Sequence, residues 1–458
     1  MSMIVPEIDE IVNFYNAEML EEIARETGFI ERDSKFGGLE FLGIMTAGLF
    51  AEPDASLSCM CGMAKDITPG LEISEPGIHQ RINEAGVEFL KKLLSKALEI
   101  CASRGIDSDI PNLLKAFGRI CLMDSTYIPL PANLSSIWKG SGGDGSEAEM
   151  KLQLMLDYKH GDYVNIAPTD GVTPDHAYVK EAVKLLRRDD LSIFDLGYSN
   201  KEAMFDIASL GAYFLCRLNH QLGLYKEDEN GDLVKFDLVK ELKKREDMTG
   251  PLEFEVWLMD GKSRLKIRLI AEKVSDEVAN ERRRKVKQKA KKRKRKYAPS
   301  AKYLYLLGWS LHITNASRES LPTDAVSLVY MIRWQIELVF KAWKSYHGLT
   351  KLKGKRPERI ECFIYGRLIM MVLMAFLSGS MGRYLWRTKK RELSFLRAVK
   401  YFKLRAVKSI SFIANPASFS EFLIEEFKDM CRLCKMESRK RPSTARKIWM
   451  LDDLYVLA

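Results

Sequence analysis

Hydrophobic and polar positions along the chain predict helical regions on either side of an α/β centre. From residue 1 to about 117, and again from about 379 to 458, apolar residues recur mainly at helical spacing. Between these regions lie short runs rich in β-branched and aromatic residues, which are typical of strands, as in 119–130 (RICLMDSTYIPL) and 191–194 (LSIF). The pattern therefore predicts an α/β chain with helical ends.

The N-terminal region is predicted to contain three main helices. The first covers 8–27 and ends at Gly28, and the second covers 41–51. The third begins with Ser74 as N-cap and Pro76 in its first turn, and continues to about residue 102. This helix carries several basic residues, which suit a polyanionic partner, although a helical cap with a solvated face has the same pattern.

The centre is predicted to alternate strands, helices and turns. Residues 150–158 and 162–167 are expected to form a hairpin, and 173–188 a helix. Further strands are expected at 213–218, 236–240, 252–259, 263–272 and 303–314, with Asp260-Gly261 as a hairpin turn.

Composition and charge favour a soluble protein with a polyanionic partner. Hydrophobic residues make up 46% of the chain, charged residues 29%, and the net charge is +10. The apolar run at 368–377 is too short to span a bilayer, so we expect a buried helix and no membrane partner. Residues 1–10 are acidic and show no secretion signal, so the eight cysteines are expected to stay reduced in the cytoplasm.

Much of the positive charge lies in one internal run. Twelve of the sixteen residues at 281–296 are Lys or Arg, among them Arg284, Lys292 and Arg295. So dense a run is more typical of a contact with the DNA backbone than of a solvated face, and such a contact carries no sequence information.

Two aspartates occupy positions that favour chemistry. Asp124 lies in the middle of an apolar strand, where an unpaired charge is costly. Asp195 follows the strand 191–194, at the strand end where ligands of α/β proteins usually bind.

The stretch 328–350 is predicted to be one helix that ends near Gly348. Tyr330, Arg333, Glu337 and Lys344 fall within a stripe roughly 60° wide on this helix. One carboxylate between two cations and a phenol suits a metal ion with phosphate beside it. A solvated amphipathic helix would have the same spacing.

These motifs resemble those of a known family. Tyr330-x2-Arg333-x3-Glu337-x6-Lys344 is similar to the signature around the third carboxylate of DDE transposases from bacterial insertion sequences, in the insertion-sequence-four type branch. Asp124-Ser125-Thr126 and Asp195-x-Gly197-Tyr198 resemble the first and second carboxylate motifs of the same branch.

The resemblance implies a ribonuclease-H-like mixed-sheet catalytic core with a β-rich insertion, flanked by N- and C-terminal helical regions. It implies two Mg²⁺ ions, for which Mn²⁺ would substitute, with Asp124 between them and Asp195 and Glu337 on one ion each. Tyr330, Arg333, Lys341 and Lys344 would hold DNA phosphates. Trp309 would stack on an extruded base, although a core tryptophan is an equally good interpretation.

The resemblance also implies double-stranded DNA as substrate and a homodimer on paired transposon ends. The expected regions are 1–117 (DNA-binding), 118–220 (first part of the core), 221–300 (insertion), 301–378 (second part of the core) and 379–458 (possible dimerisation). Two alternatives stay open: a ribonuclease-H-like nuclease or resolvase without strand transfer, and a non-catalytic DNA-binding protein derived from a transposase.

Overall fold

The computed structural model describes residues 5–32, 34–102, 111–142, 146–292, 298–352, 354–436 and 442–457. The chain divides into two compact units. The first unit comprises Met1–Asp109, Ser125–Thr173 and Gln335–Lys440, and the second comprises Ile110–Asp124, Pro174–Trp334 and Arg441–Ala458.

The described helices and strands alternate in the centre of the chain, as expected. The helices are α1 (Val5–Phe14), α2 (Ala17–Glu26), α3 (Gly38–Gly43), α4 (Leu49–Ala51), α5 (Leu57–Ile67), α6 (Glu75–Arg81), α7 (Glu84–Ala102), α8 (Asn112–Lys115), α9 (Asp175–Val183), α10 (Lys201–Ser209), α11 (Leu238–Lys244), α12 (Asp276–Lys292), α13 (Ala301–Leu306), α14 (Val326–Tyr330), α15 (Trp334–Ser345), α16 (Pro357–Lys389), α17 (Phe395–Ile410), α18 (Pro416–Leu433) and α19 (Thr444–Leu457). The strands are β1 (Ile120–Leu130), β2 (Ala148–Asp157), β3 (Asp162–Asp170), β4 (Leu191–Phe194), β5 (Tyr213–Arg217), β6 (Tyr225–Glu227), β7 (Leu233–Lys235), β8 (Leu252–Asp260), β9 (Ser263–Lys273) and β10 (Trp309–Thr314).

The strands form a mixed sheet in the order β3-β2-β1-β4-β5-β10-β9-β8-β6-β7. Strands β1, β4 and β5 run parallel, whereas β2–β3 and β8–β9 are antiparallel hairpins. Strand β10 is antiparallel to both β5 and β9 and so joins the insertion hairpin to the parallel strands. The order of the first five strands is that of a ribonuclease-H-like sheet, which confirms the expected α/β class.

In the first unit, helix α16 supplies much of the core. It is 33 residues long and, among the described residues, it is the one helix apolar enough to cross a membrane. However, 94% of its most apolar window is buried within the protein, as in the core helix of a soluble protein. The expectation of a buried helix around 368–377 is therefore confirmed.

Two predicted N-terminal helices are broken. The helix expected at 8–27 is interrupted at Asn16, whose side chain accepts a hydrogen bond from the backbone of Met19 and caps α2. The helix that begins at Ser74 ends at Arg81, and α7 starts after Asn83. The Ser74 cap itself is confirmed, because its hydroxyl accepts from the Gly77 backbone.

Three central predictions need correction. Residues 236–240 are not a strand, because Asp237 caps helix α11. Residues 303–314 are only half strand, because Ser300 caps helix α13 before β10 begins at Trp309. The helix expected at 328–350 begins at Val326, tightens to a 3₁₀ turn at Met331–Arg333 and ends at Ser345.

Candidate active site

Asp124 and Asp195 occupy equivalent positions along two neighbouring parallel strands. In the parallel β1–β4 pair, Met123 is opposite Phe194, and each aspartate is the next residue in its own strand direction. Neighbouring strands lie about 5 Å apart, so this register places the two carboxylates side by side at one end of β4. Both side chains are half-buried and follow fully buried runs.

The end of β4 fixes the orientation of Asp195. Its Oδ1 accepts a hydrogen bond of 2.8 Å from the backbone N–H of Gly197, and Asp195 caps the 3₁₀ turn Leu196–Tyr198. The Asp-x-Gly motif is therefore a local turn that holds one carboxylate oxygen and leaves the other oxygen outside this bond.

Arg333 pairs with Asp124. Its Nη1 lies 3.0 Å from Oδ2 of Asp124, and the two side chains are 17% and 20% exposed. The 3₁₀ turn Met331–Arg333 carries this arginine. An ion pair with so little solvent around it is stronger than a surface pair.

Tyr330 lies close enough to Asp195 for the carboxylate charge to act on its phenol. It is buried, its ring centroid lies 4.7 Å from that of His312, and the Arg217 guanidinium carbon lies 5.7 Å from it. Burial raises the pKa of the Tyr330 phenol; Arg217 and Arg333 counteract this, and Asp195 adds to it. The phenol therefore stays protonated at neutral pH and can donate a hydrogen bond.

A buried ionic network fixes the segment that leads into α14. Arg268 donates to the backbone oxygens of Ala316, Ser317 and Leu321 and forms an ion pair of 2.8 Å with Glu253. Thr323 also donates to Glu253. Because α14 starts three residues later, this network anchors the helix that carries Tyr330.

The remaining signature residues lie on α15. Glu337 is half-buried in its first turn, and Lys341 and Lys344 are exposed. Their spacings of four and three residues place the three side chains along one face of the helix.

The carboxylates of Asp124, Asp195 and Glu337 are of the chemical type that Mg²⁺ prefers, because this ion binds oxygen ligands. In the part of the chain that the structure describes, however, no three His, Cys, Asp or Glu side chains are grouped closely enough to hold a metal ion. One oxygen of Asp124 is instead held by Arg333. A metal bound at Asp124 would have to share that carboxylate with the guanidinium or displace it.

The structure places the other predicted DNA contacts as follows. Arg284 is exposed on α12 and forms an ion pair with Glu281, and Lys292 is the last residue of the same helix. Arg295 lies outside the described residues. Trp309 is only 5% exposed and belongs to β10, so stacking on a base would require it to leave the sheet. These assignments stay predictions.

Sequence reasoning missed three residues that adjoin Tyr330 or Arg333. Trp334, directly after Arg333, is 57% exposed, and Arg217 and His312 contact the Tyr330 ring. The sequence offered a signal only for Trp334, because it lies within the signature. The other two are brought to Tyr330 by the pairing of β5 with β10.

Comparison with known proteins agrees with these motifs. Residues 115–373 match the family model described as a transposase DDE domain. The chain belongs to the DDE transposase family. It is 30% identical over 410 residues to the transposase for insertion sequence element IS231F of Bacillus thuringiensis subsp. israelensis, covering 86% of this chain and 84% of that protein.

Other relatives carry similar names. The transposase for insertion sequence element IS1151 of Clostridium perfringens is 25% identical over 406 residues, covering 85% of this chain and 84% of the relative. Among solved structures, a piggyBac transposase synaptic complex with hairpin DNA gives a TM-score of 0.44 at 11% identity, covering 96% of this chain and 86% of that one. The family-model match and the similarity to the IS231F and IS1151 transposases confirm the resemblance to insertion-sequence transposases at the level of the family.

Proposed function

We propose that this chain binds the terminal inverted repeats of its insertion sequence and catalyses metal-dependent DNA cleavage and strand transfer. The observation that carries the proposal is the register of Asp124 and Asp195 on adjacent parallel strands, with Arg333 of the signature paired to Asp124. Membership of the DDE transposase family supports the same chemistry.

Asp124, Asp195 and Glu337 would hold two Mg²⁺ ions, or Mn²⁺ in their place, and these ions would stabilise the attacking and leaving oxygens at phosphorus. The protein's own groups position the DNA. Arg333 binds a phosphate next to the cut as a fork of donors, and Lys341 and Lys344 add point charges along α15. Tyr330, protonated because it is buried, donates to a phosphate oxygen. The nucleophile is water and then the freed 3′ hydroxyl.

Helix α12 would contact the DNA backbone through its outer face. Arg282 and Arg283 are turned inward: Arg282 donates to the Trp309 carbonyl at 3.1 Å, and Arg283 donates to the Leu304 carbonyl at 3.1 Å. Arg284 and the exposed lysines that follow it point to solvent. The inner arginines thus anchor the helix, and the outer residues would supply non-specific affinity for phosphates.

The cellular setting follows from this function. The protein would act in the bacterial cytoplasm on double-stranded DNA, as a homodimer on two paired ends. A nuclease or resolvase without strand transfer is the alternative with the same carboxylates, and only a joined product separates it from a transposase. A non-catalytic DNA binder would leave duplex ends intact.

The test uses a duplex that carries the terminal repeat, with Mg²⁺ and a target plasmid. Asp124→Asn, Asp195→Asn and Glu337→Gln are each expected to reduce cleavage and joining to background while end binding stays near the unsubstituted level. Asp206→Asn is a matched control, because Asp206 is exposed on α10. Full cleavage by one of the three variants would remove that residue from the active site.

A further inference from the structure

A second group of cations lies on the β5–β10 side of Tyr330. Arg217 is exposed at the end of β5, with its guanidinium carbon 5.7 Å from the Tyr330 ring centroid. His312 of β10 is directly opposite Arg217 in the strand pairing, and its ring packs against the same tyrosine ring, with 4.7 Å between the centroids. Tyr330 therefore contacts both residues.

Arg282 approaches this group from α12. Its Nη1 donates to the Trp309 carbonyl at 3.1 Å, and its Nη2 lies 3.3 Å from Oγ of Ser310, two residues before His312. These acceptors are neutral. Throughout the described ranges, no carboxylate lies within ion-pair distance of Arg217 or Arg282, so neither positive charge is paired with a described acidic residue.

The pKa values of His312 and Arg282 are lowered in part by this positive charge. Burial is the largest cause that lowers the pKa of His312, to about 3, and Arg217 and Arg282 lower it further. The imidazole is therefore neutral at physiological pH. Burial, and then Arg217, also lower the pKa of Arg282. Two guanidinium groups close to one buried histidine repel each other, and an anion between or beside them would relieve that repulsion.

We propose that Arg217 and Arg282 form a subsite for a second phosphodiester group of the DNA strand whose scissile phosphate is held beside Asp124 and Asp195. The subsite rests on the proposed function and adds a second point of attachment to the grip of Arg333. Guanidinium groups match phosphate oxygens in pairs of parallel hydrogen bonds, which a lysine does not reproduce. A second fixed phosphate would set which bond of the strand lies at the carboxylates.

The test scans the phosphates near the cut one at a time. Duplex ends are prepared with a single neutral methylphosphonate at successive positions, and their affinity for the full-length protein is measured in Ca²⁺ without cleavage. We expect the unsubstituted protein to lose affinity at a few positions. Arg217→Gln is expected to become insensitive to one of these positions, whereas Arg333→Gln stays sensitive to it and loses sensitivity to another.

Salt dependence gives an independent readout. The logarithm of the affinity falls as the logarithm of the salt concentration rises. For Arg217→Gln, loss of one phosphate contact should make this negative slope shallower by about one unit. Arg264→Gln is the matched control, because Arg264 is exposed on β9 and packs over Trp257. Arg217→Lys keeps the charge and should restore the slope but only part of the position-specific sensitivity.

Two outcomes would overturn the subsite. The subsite is wrong if Arg217→Gln has the methylphosphonate profile of the unsubstituted protein and a salt slope as steep as that of Arg264→Gln. The proposed function would then still stand. If the unsubstituted protein shows no preference for duplex ends, the proposed function is wrong and the subsite with it. Arg282→Gln is tested in parallel with thermal unfolding, because Arg282 also supports β10.

Discussion

Arg333 and Asp124 are 209 residues apart in sequence and form an ion pair of 3.0 Å at the end of the parallel strands. One oxygen of a carboxylate proposed to bind metal is thereby occupied by a cation proposed to bind phosphate. In the protein without DNA, the two side chains neutralise each other. A phosphate that takes the guanidinium would free Asp124 for a metal ion.

The first prediction concerns this pair. Arg333→Gln should bind Mn²⁺ roughly 3- to 10-fold more tightly than the unsubstituted protein when no DNA is present, because the metal no longer competes with a guanidinium. Electron paramagnetic resonance of free Mn²⁺ measures this. Arg333→Lys, which keeps the positive charge, is the control. Equal or weaker Mn²⁺ binding by the Gln variant would show that the pair does not restrain the carboxylate.

The second prediction concerns acid stability. Burial alone would raise the pKa of Glu253, but hydrogen bonds from Arg268, Thr323 and Arg318 lower it to about 2. In the unfolded chain a glutamate has a pKa of about 4.3. The native pKa is thus the lower one, so this stabilisation is complete above about pH 5 and is lost as the pH falls towards 2.

Urea unfolding at several pH values tests this stabilisation. Removal of the charge by Glu253→Gln should cost on the order of 2–3 kcal/mol at pH 7 and flatten the dependence between pH 5 and 2. Glu255→Gln is the control, because its ion pair with Lys266 lies at the surface and contributes little. Equal effects of the two substitutions would contradict the assigned role of the network.

The third prediction separates two tryptophans. Trp309→Ala should lower the free energy of unfolding by about 3–5 kcal/mol, because the side chain is buried in β10. Trp334→Ala should leave stability unchanged and weaken binding of a duplex end with one unpaired base about 5- to 100-fold. Gel-shift titrations with paired and unpaired ends measure the difference. Unchanged binding by Trp334→Ala would leave this exposed side chain without a role in DNA contact.

The fourth prediction concerns a buried cation in the first unit. Arg367 of α16 is 1% exposed and donates to the backbone oxygens of Pro53, Gly348 and Lys351. Arg367→Met should cost about 2–5 kcal/mol, since it leaves these carbonyls without a donor. Lys389→Met, at the exposed end of the same helix, should cost little. Chemical denaturation of the two variants compares them, and similar costs would rule out the bridging role.

Local signals in the sequence were sufficient for many elements. The apolar run of β1, the Ser74 cap, the Asp260-Gly261 turn and the position of Asp195 after β4 were all predicted and are found. The errors arose in short apolar runs whose spacing is compatible with either a strand or a helix. Asp237 and Ser300 each cap a helix that overlaps a stretch predicted as a strand, because a side-chain bond to the backbone outweighs weak alternation.

By itself, the sequence determined the family, the three acidic motifs and the buried strands, because these depend on spacing along the chain. Only the tertiary structure decided which residues meet. It paired Arg333 with Asp124, turned Arg282 inward while Arg284 faces solvent, and brought Arg217 opposite His312. Strand register and helix packing create these contacts between residues far apart in the chain, and no local preference of a residue specifies them.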